Sequence, residues 1–102
     1  MSWNDFTGCM ANQGHEAEEA LEKVGEGAVE VIKQLAGAWR ALPPDIKSYI
    51  ILAAQVYGSS LAIALAALGV EAGEALEVLC MAAIAIGVGV FLDALAACSM
   101  SL

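Results

Sequence analysis

The residue best placed to do chemistry is Asp93, the only charged residue between Val78 and Cys98. A carboxylate buried in such an apolar helix could sense protons, or it could pair with Lys47 or Arg40. If it lies near the helix end, it would instead face solvent. Asp93 is therefore the candidate proton-sensing residue, and both alternatives stay open.

The remaining polar residues offer little for catalysis. His15, the one histidine, lies in a polar stretch and is interpreted as a helix-start residue rather than a ligand or base. A row of glutamates recurs every four residues and could bind cations, although a solvated helix face is the ordinary explanation: Glu18, Glu22, Glu26 and Glu30. The sequence contains no serine–histidine–acid set, glycine-rich phosphate loop or metal-ligand spacing. We therefore predict no catalytic residue, no metal, no cofactor and no enzymatic activity.

The three cysteines, Cys9, Cys80 and Cys98, form no CxxC pair. Cys80 and Cys98 lie in apolar helical surroundings, where a free thiol usually behaves as a small hydrophobic side chain. This interpretation fits a reducing compartment. An intermolecular disulfide through Cys9 remains an alternative.

The composition points to surfaces that something other than water covers. Of the 102 residues, 60% are hydrophobic and 16% are charged, whereas soluble domains average about 45–50% and about 25%. The net charge of −8 disfavours nucleic-acid binding, and no polybasic segment would attract anionic lipid. The N-terminal residues lack the features of a cleaved signal peptide. Any membrane affinity must therefore be hydrophobic.

The sequence predicts a single all-α domain. Residues 1–14 are expected to be irregular, and residues 15–42 are expected to form an acidic amphipathic helix that ends at Pro43-Pro44. Residues 45–102 are predicted to form a hydrophobic Ala/Gly-rich hairpin, with helices at about 45–68 and 74–98. A local strand at residues 84–90 is the weaker alternative.

Two spacing patterns in the sequence indicate which residues could pack helices together. On the amphipathic helix, apolar residues recur in steps of three and four, as in a coiled-coil seam: Leu21, Val24, Ala28, Val31 and Leu35. In the hairpin, small residues four apart would let helices approach closely: Gly58 with Ala62, Ala62 with Ala66, and Ala83 with Gly87. These residues are the candidates for packing and oligomerisation.

The stretch from Ser48 to Val70 holds 23 residues without a charge. As one helix it would rise about 34 Å, enough for a hydrocarbon core of about 30 Å. In architecture the chain resembles holins and the hydrophobic hairpin of pore-forming toxins, although it ends in CSMSL where holins commonly have a basic tail. This resemblance implies insertion into a membrane.

Two functional hypotheses follow. The first is a small, non-enzymatic, self-associating protein that inserts into a lipid membrane and forms pores. The second is a structural subunit of a cytoplasmic homo-oligomer such as a filament, tube or shell. Both predict the chain itself as a partner and predict neither a nucleic acid nor a small-molecule substrate.

Overall fold

Residues 2–102, which the computed structural model describes, are helical with short turns and contain no strand. The all-α prediction is therefore confirmed. The helices are α1 (Trp3–Ala11), α2 (His15–Val24), α3 (Val29–Ala41), α4 (Pro44–Val56), α5 (Ser60–Ala67), α6 (Glu74–Ile86) and α7 (Val88–Cys98). Short 3-10 turns at Glu26–Ala28 and Ser99–Ser101 complete the chain.

The prediction of an irregular N-terminal segment is wrong for most of its length, because α1 forms there. The Ser2 hydroxyl caps this helix by accepting a hydrogen bond from the Asp5 backbone N–H at 3.2 Å. Phe6 and Met10, one turn apart on the same face, are fully buried. Capping and burial together hold a helix that composition alone did not indicate.

Each of the three predicted long helices is divided. Gly25, at φ +69°, ends α2, and Gly87, at φ +127°, separates α6 from α7. Both angles favour glycine, which lacks a Cβ, so the chain turns at these two positions. A third break, at residues 57–59, separates α4 from α5. The alternative strand at residues 84–90 is also wrong, because those residues end α6 and begin α7.

Two parts of the fold differ in how they are held. The body, defined as residues 2–43 and 71–102, packs α2 against α6 and α3 against α7, with α1 lying across them. The α4–α5 segment, defined as residues 44–70, lies on α6 and α7. Its inward side chains join the common core: Ile50, Ala54, Leu61, Leu65 and Val70.

The helices are short relative to a bilayer. The longest have 13 residues and therefore rise about 20 Å, against about 30 Å of hydrocarbon. Across residues 2–102, no helix has both the length and the apolar character that crossing a membrane requires.

Candidate functional site

The most unusual surface is the outer side of α4. Tyr49, Leu52, Ala53 and Val56 recur at the spacing of one helix face and, with Tyr57, line an open depression of about 280 Å³. Tyr49 is 71% exposed, Leu52 61% and Val56 64%. Because these side chains are large, apolar and contiguous along one face, they form a surface suited to a non-aqueous partner.

The opposite side of α4 is also apolar. Ile50 and Ala54 are buried against the body, and Ile51 is half-buried. In α5, Leu61 and Leu65 are fully buried while Ile63 on the outer side is exposed. Between Tyr49 and Val56 only Gln55 is polar, and a helix that is apolar on most of its sides is normally covered by other parts of a protein. We call the exposed set the outer face: Tyr49, Leu52, Ala53, Val56, Tyr57 and Ile63.

Only apolar contacts join residues 48–70 to the body. Throughout the described chain, these residues make no hydrogen bond to the body; the Ser60 hydroxyl, for example, donates to the carbonyl of Tyr57. Glycine permits the close approach of α4 to α7, since a Cβ on Gly89 would lie 2.9 Å from Ile51 Cδ1. The contact between residues 48–70 and the body is therefore close but includes no hydrogen bond.

The predicted coiled-coil seam is used inside the protomer. Leu21, Ala28 and Leu35 are buried in the body, and therefore they do not form a surface for a second copy in this fold. Val24 and Val31 are half-buried and line a cavity of about 280 Å³ beside residues 71–76. An oligomerisation role for the seam stays a prediction that would require the body to open.

The predicted small-residue pairs are divided between two regions. Gly58 and Ala62 are half-buried and Ala66 is exposed. Ala83 is fully buried in the body, and Gly87 forms the turn between α6 and α7. Gly58 therefore belongs to a real helix contact, because a Cβ there would lie 3.3 Å from Ile84 Cδ1.

Asp93 lies on α7 at the surface of the body and accepts a hydrogen bond from the indole Nε1 of buried Trp39 at 2.8 Å. Among the alternatives left open, Asp93 is exposed, as a solvent-facing residue would be, and within residues 2–102 it forms no ion pair with Lys47 or Arg40. Lys47 instead places its Nζ 5.6 Å from the Trp39 ring centroid, a cation–π contact. The Trp39–Asp93 hydrogen bond joins α3 to α7, and the Lys47–Trp39 contact joins the start of α4 to α3. The proton-sensing role of Asp93 stays a prediction.

Arg40 fastens the same two helices at the end of α7. Its guanidinium donates to the carbonyl of Ala96 at 2.8 Å and to the Ser99 hydroxyl at 2.9 Å. A cation at a helix C-terminus satisfies unpaired carbonyls and favours the helix dipole. Arg40 is therefore a structural residue of the body.

The prediction of a free thiol is wrong for Cys98. Cys9 of α1 and Cys98 of α7 form an intramolecular disulfide, with their Cα atoms 5.7 Å apart. This bond also uses the sulfur that an intermolecular disulfide through Cys9 would need. Cys80 is free and buried, and its burial, with Glu77 nearby, raises the pKa of its thiol to about 11. Cys80 therefore behaves as the predicted small hydrophobic side chain.

The structure brings together no metal-binding group of histidine, cysteine and carboxylate side chains within residues 2–102. His15 contacts Glu19 on the same helix at 2.6 Å. The glutamate row is exposed, as a solvated face would be: Glu18, Glu22, Glu26 and Glu30.

The sequence did not identify the outer face as a distinct surface. The exposed and the buried sides of α4 both carry apolar residues, so composition does not distinguish them. The spacing of Tyr49, Leu52 and Val56 was the available signal. No protein-family model, curated protein or solved structure matches the chain. The fold and surface define its class: an all-α protein with a disulfide-closed body and an exposed apolar helical segment.

Proposed function

We propose that this chain is a non-enzymatic protein that inserts into lipid membranes through the α4–α5 segment and self-associates there, as pore-forming and holin-like proteins do. The observation that carries the proposal is the outer face: the inner side of α4 packs on the body, whereas the large apolar side chains on its outer side are exposed to water. Covering that face removes large hydrophobic side chains from water, at about 25 cal/mol per Å² of apolar area.

Lipid suits this face better than a defined protein partner. The segment from Ser48 to Val70 contains no charged residue that would fix the register of a partner. A lipid surface needs no register. Tyr49 and Tyr57, each 70% exposed or more, have the amphipathic rings favoured at membrane interfaces.

The acidic charge of the chain limits the kind of membrane and ligand. With a net charge of −8, the chain is repelled by anionic lipid and by nucleic acid, so binding would be hydrophobic. We propose zwitterionic bilayers and other copies of the chain as partners, with no nucleic acid, cofactor or small-molecule substrate.

Flotation with phosphatidylcholine vesicles tests the proposal. Leu52→Glu places a charge on the outer face and should weaken vesicle binding and dye release by about tenfold or more, since charge in an apolar layer costs about 2–3 kcal/mol. Met81→Glu is the matched control, because Met81 is 70% exposed on α6, beside α2 rather than α4. Equal binding by the two variants, or no flotation of the wild type, would contradict the proposal.

A structural subunit of a homo-oligomeric helical assembly is the second candidate. The spacing of Tyr49, Leu52 and Val56 at i, i+3 and i+7 also suits a helix lying in a groove of another copy. In this case the chain would sediment as an oligomer without lipid, Leu52→Glu would dissociate it, and vesicles would neither bind it nor leak.

A further inference from the structure

We propose that the α4–α5 segment leaves the body as a unit when it enters a bilayer, so that its inner and outer faces both contact lipid while the body stays closed. This inference rests on the proposed function and specifies how the segment inserts. It differs from shallow binding, in which the outer face would lie on lipid with Ile50 and Leu61 still buried in the body.

The way residues 48–70 are attached favours separation in lipid. Their contacts to the body are apolar and include no hydrogen bond. In water, exposing Ile50, Leu61 and Leu65 would be opposed by the hydrophobic effect. In a bilayer this opposition vanishes, because lipid tails are as apolar as the core they replace. For the α4–α5 segment to move, no hydrogen bond from residues 48–70 to the body must break, and the cation–π contact between Lys47 and Trp39 at the start of α4 is the polar contact that is lost.

A short turn joins the segment to the body at each end, and the disulfide of the body lies outside the segment. Residues 42–43 lie between α3 and α4, and Gly69, at φ +98°, lies in the turn that leads to α6. The Cys9–Cys98 disulfide joins α1 to α7 and involves neither α4 nor α5. The Trp39–Asp93 and Arg40–Ser99 hydrogen bonds likewise hold α3 to α7 within the body.

The released segment has the length for a deep position. Residues 48–70 contain 23 uncharged residues, and a continuous helix of that length would rise about 34 Å. The backbone at residues 57–59 is held by turn hydrogen bonds such as Ser60 N–H to the carbonyl of Tyr57 and Leu61 N–H to the carbonyl of Gly58. In hydrocarbon, a continuous helix would pair every backbone group of this stretch, since lipid offers no other hydrogen-bond partner. The break between the helices is thus expected to close on insertion.

Cys80 is a native reporter of this separation. Gly58 lies against Ile84 of α6, and α5 runs antiparallel to α6 through the turn at residues 68–73. Cys80 lies one turn before Ile84 on the same helix face, so we expect α5 to cover it. It is 6% exposed and the free thiol of the described chain, so its reactivity reports whether α5 covers it.

The test measures the rate at which N-phenylmaleimide, which is small and lipid-soluble, labels the wild-type protein with and without phosphatidylcholine vesicles. We expect labelling to be slow in buffer and at least tenfold faster in the vesicle-bound fraction. Mass spectrometry should show one label per chain, because Cys9 and Cys98 remain bonded. A vesicle-bound chain whose Cys80 stays as slow as in buffer would overturn the inference and leave the proposed function intact.

Two further measurements separate the remaining outcomes. Absence of flotation would reject the proposed function itself, independently of any labelling. Brominated lipid should quench Trp3 and Trp39 only weakly, since both lie in the body; strong quenching would show that the body opens and would overturn the inference. Leu52→Glu, which should not bind vesicles, should label slowly whether or not vesicles are present.

Discussion

Helices α6 and α7 of the body and the α4–α5 segment are built from similarly apolar residues, yet they are held in different ways. In the body, a disulfide and hydrogen bonds from Trp39 and Arg40 supplement the packing. Residues 48–70 have packing alone and leave the outer face in water. Hydrophobicity therefore does not distinguish α6 and α7 from the α4–α5 segment; what differs is how far their apolar side chains are covered and how many polar bonds and cross-links hold them.

This difference explains how one chain can combine a stable fold with an adaptable surface. Elements with few polar attachments and exposed apolar groups open at a lower free-energy cost than a cross-linked core. The body provides a fixed frame, and the segment can exchange one apolar environment for another. Four predictions test this comparison, from the largest expected effect to the smallest.

Breaking the Cys9–Cys98 disulfide should have the largest effect on the body. The bond closes a loop with a sequence separation of 89 residues, and restricting the unfolded chain in this way stabilises a protein by about 4 kcal/mol at 25 °C. We expect the Cys9→Ser/Cys98→Ser variant to unfold in less urea than the wild type. Cys80→Ser, which removes a thiol and no cross-link, is the control. Equal midpoints for the double variant and the oxidised wild type would show that α1 is not held by the disulfide.

Truncating a leucine should cost far more in the body than on the outer face. Leu95 is fully buried in α7, whereas Leu52 is mostly exposed on α4. We expect Leu95→Ala to lower the free energy of unfolding by about 3 kcal/mol and Leu52→Ala to change it by less than about 0.5 kcal/mol. Urea unfolding of both variants checks the pair. A large loss for Leu52→Ala would mean that the outer face is covered in solution, as a homo-oligomer would require.

The body also shows which features the sequence could and could not predict. Pro43-Pro44 marked the start of α4 correctly, and the turn near residues 69–73 was also correct. The α1 helix was missed although Ser2 and Asp5 have the spacing of a capping pair. Gly25 and Gly87 were visible as weak points in helices, but the positive φ that makes them breaks is set by how the flanking helices pack.

The candidate functional site, like the body, could be predicted from the sequence only in part. An apolar segment at residues 48–70 was evident from the absence of charge, whereas its division into an inner and an outer face depends on where α6 and α7 lie. The Cys9–Cys98 pair could not be deduced, because three cysteines far apart in sequence give no spacing rule. Asp93 was correctly singled out as a polar residue in an apolar helix, but its partner, Trp39, is 54 positions away.

Alkaline pH should act at the boundary between the two regions through Cys80. Its pKa is raised from 9.0 to about 11 in the folded protein by burial and by Glu77, so the fold favours the neutral thiol. The resulting stabilisation is complete below pH 9 and is lost between pH 9 and 11. Across this window, we expect the wild type to lose about 1 kcal/mol per pH unit more than Cys80→Ala. Parallel pH profiles in urea unfolding would show that Cys80 is not buried beneath α5.

Asp93→Asn should produce the smallest change and tests whether the polar fastening of the body is real. The asparagine Oδ1 can still accept from the Trp39 indole, so the variant loses only the contribution of the charge, about 1 kcal/mol. Glu22→Gln, an exposed carboxylate on α2, is the matched control and should be neutral. If the two variants unfold at the same urea concentration, the charge of Asp93 does not strengthen its hydrogen bond with Trp39. Dye release that depends on pH in the wild type and not in Asp93→Asn would support the proton-sensing role, because the variant removes the carboxylate and keeps the hydrogen bond.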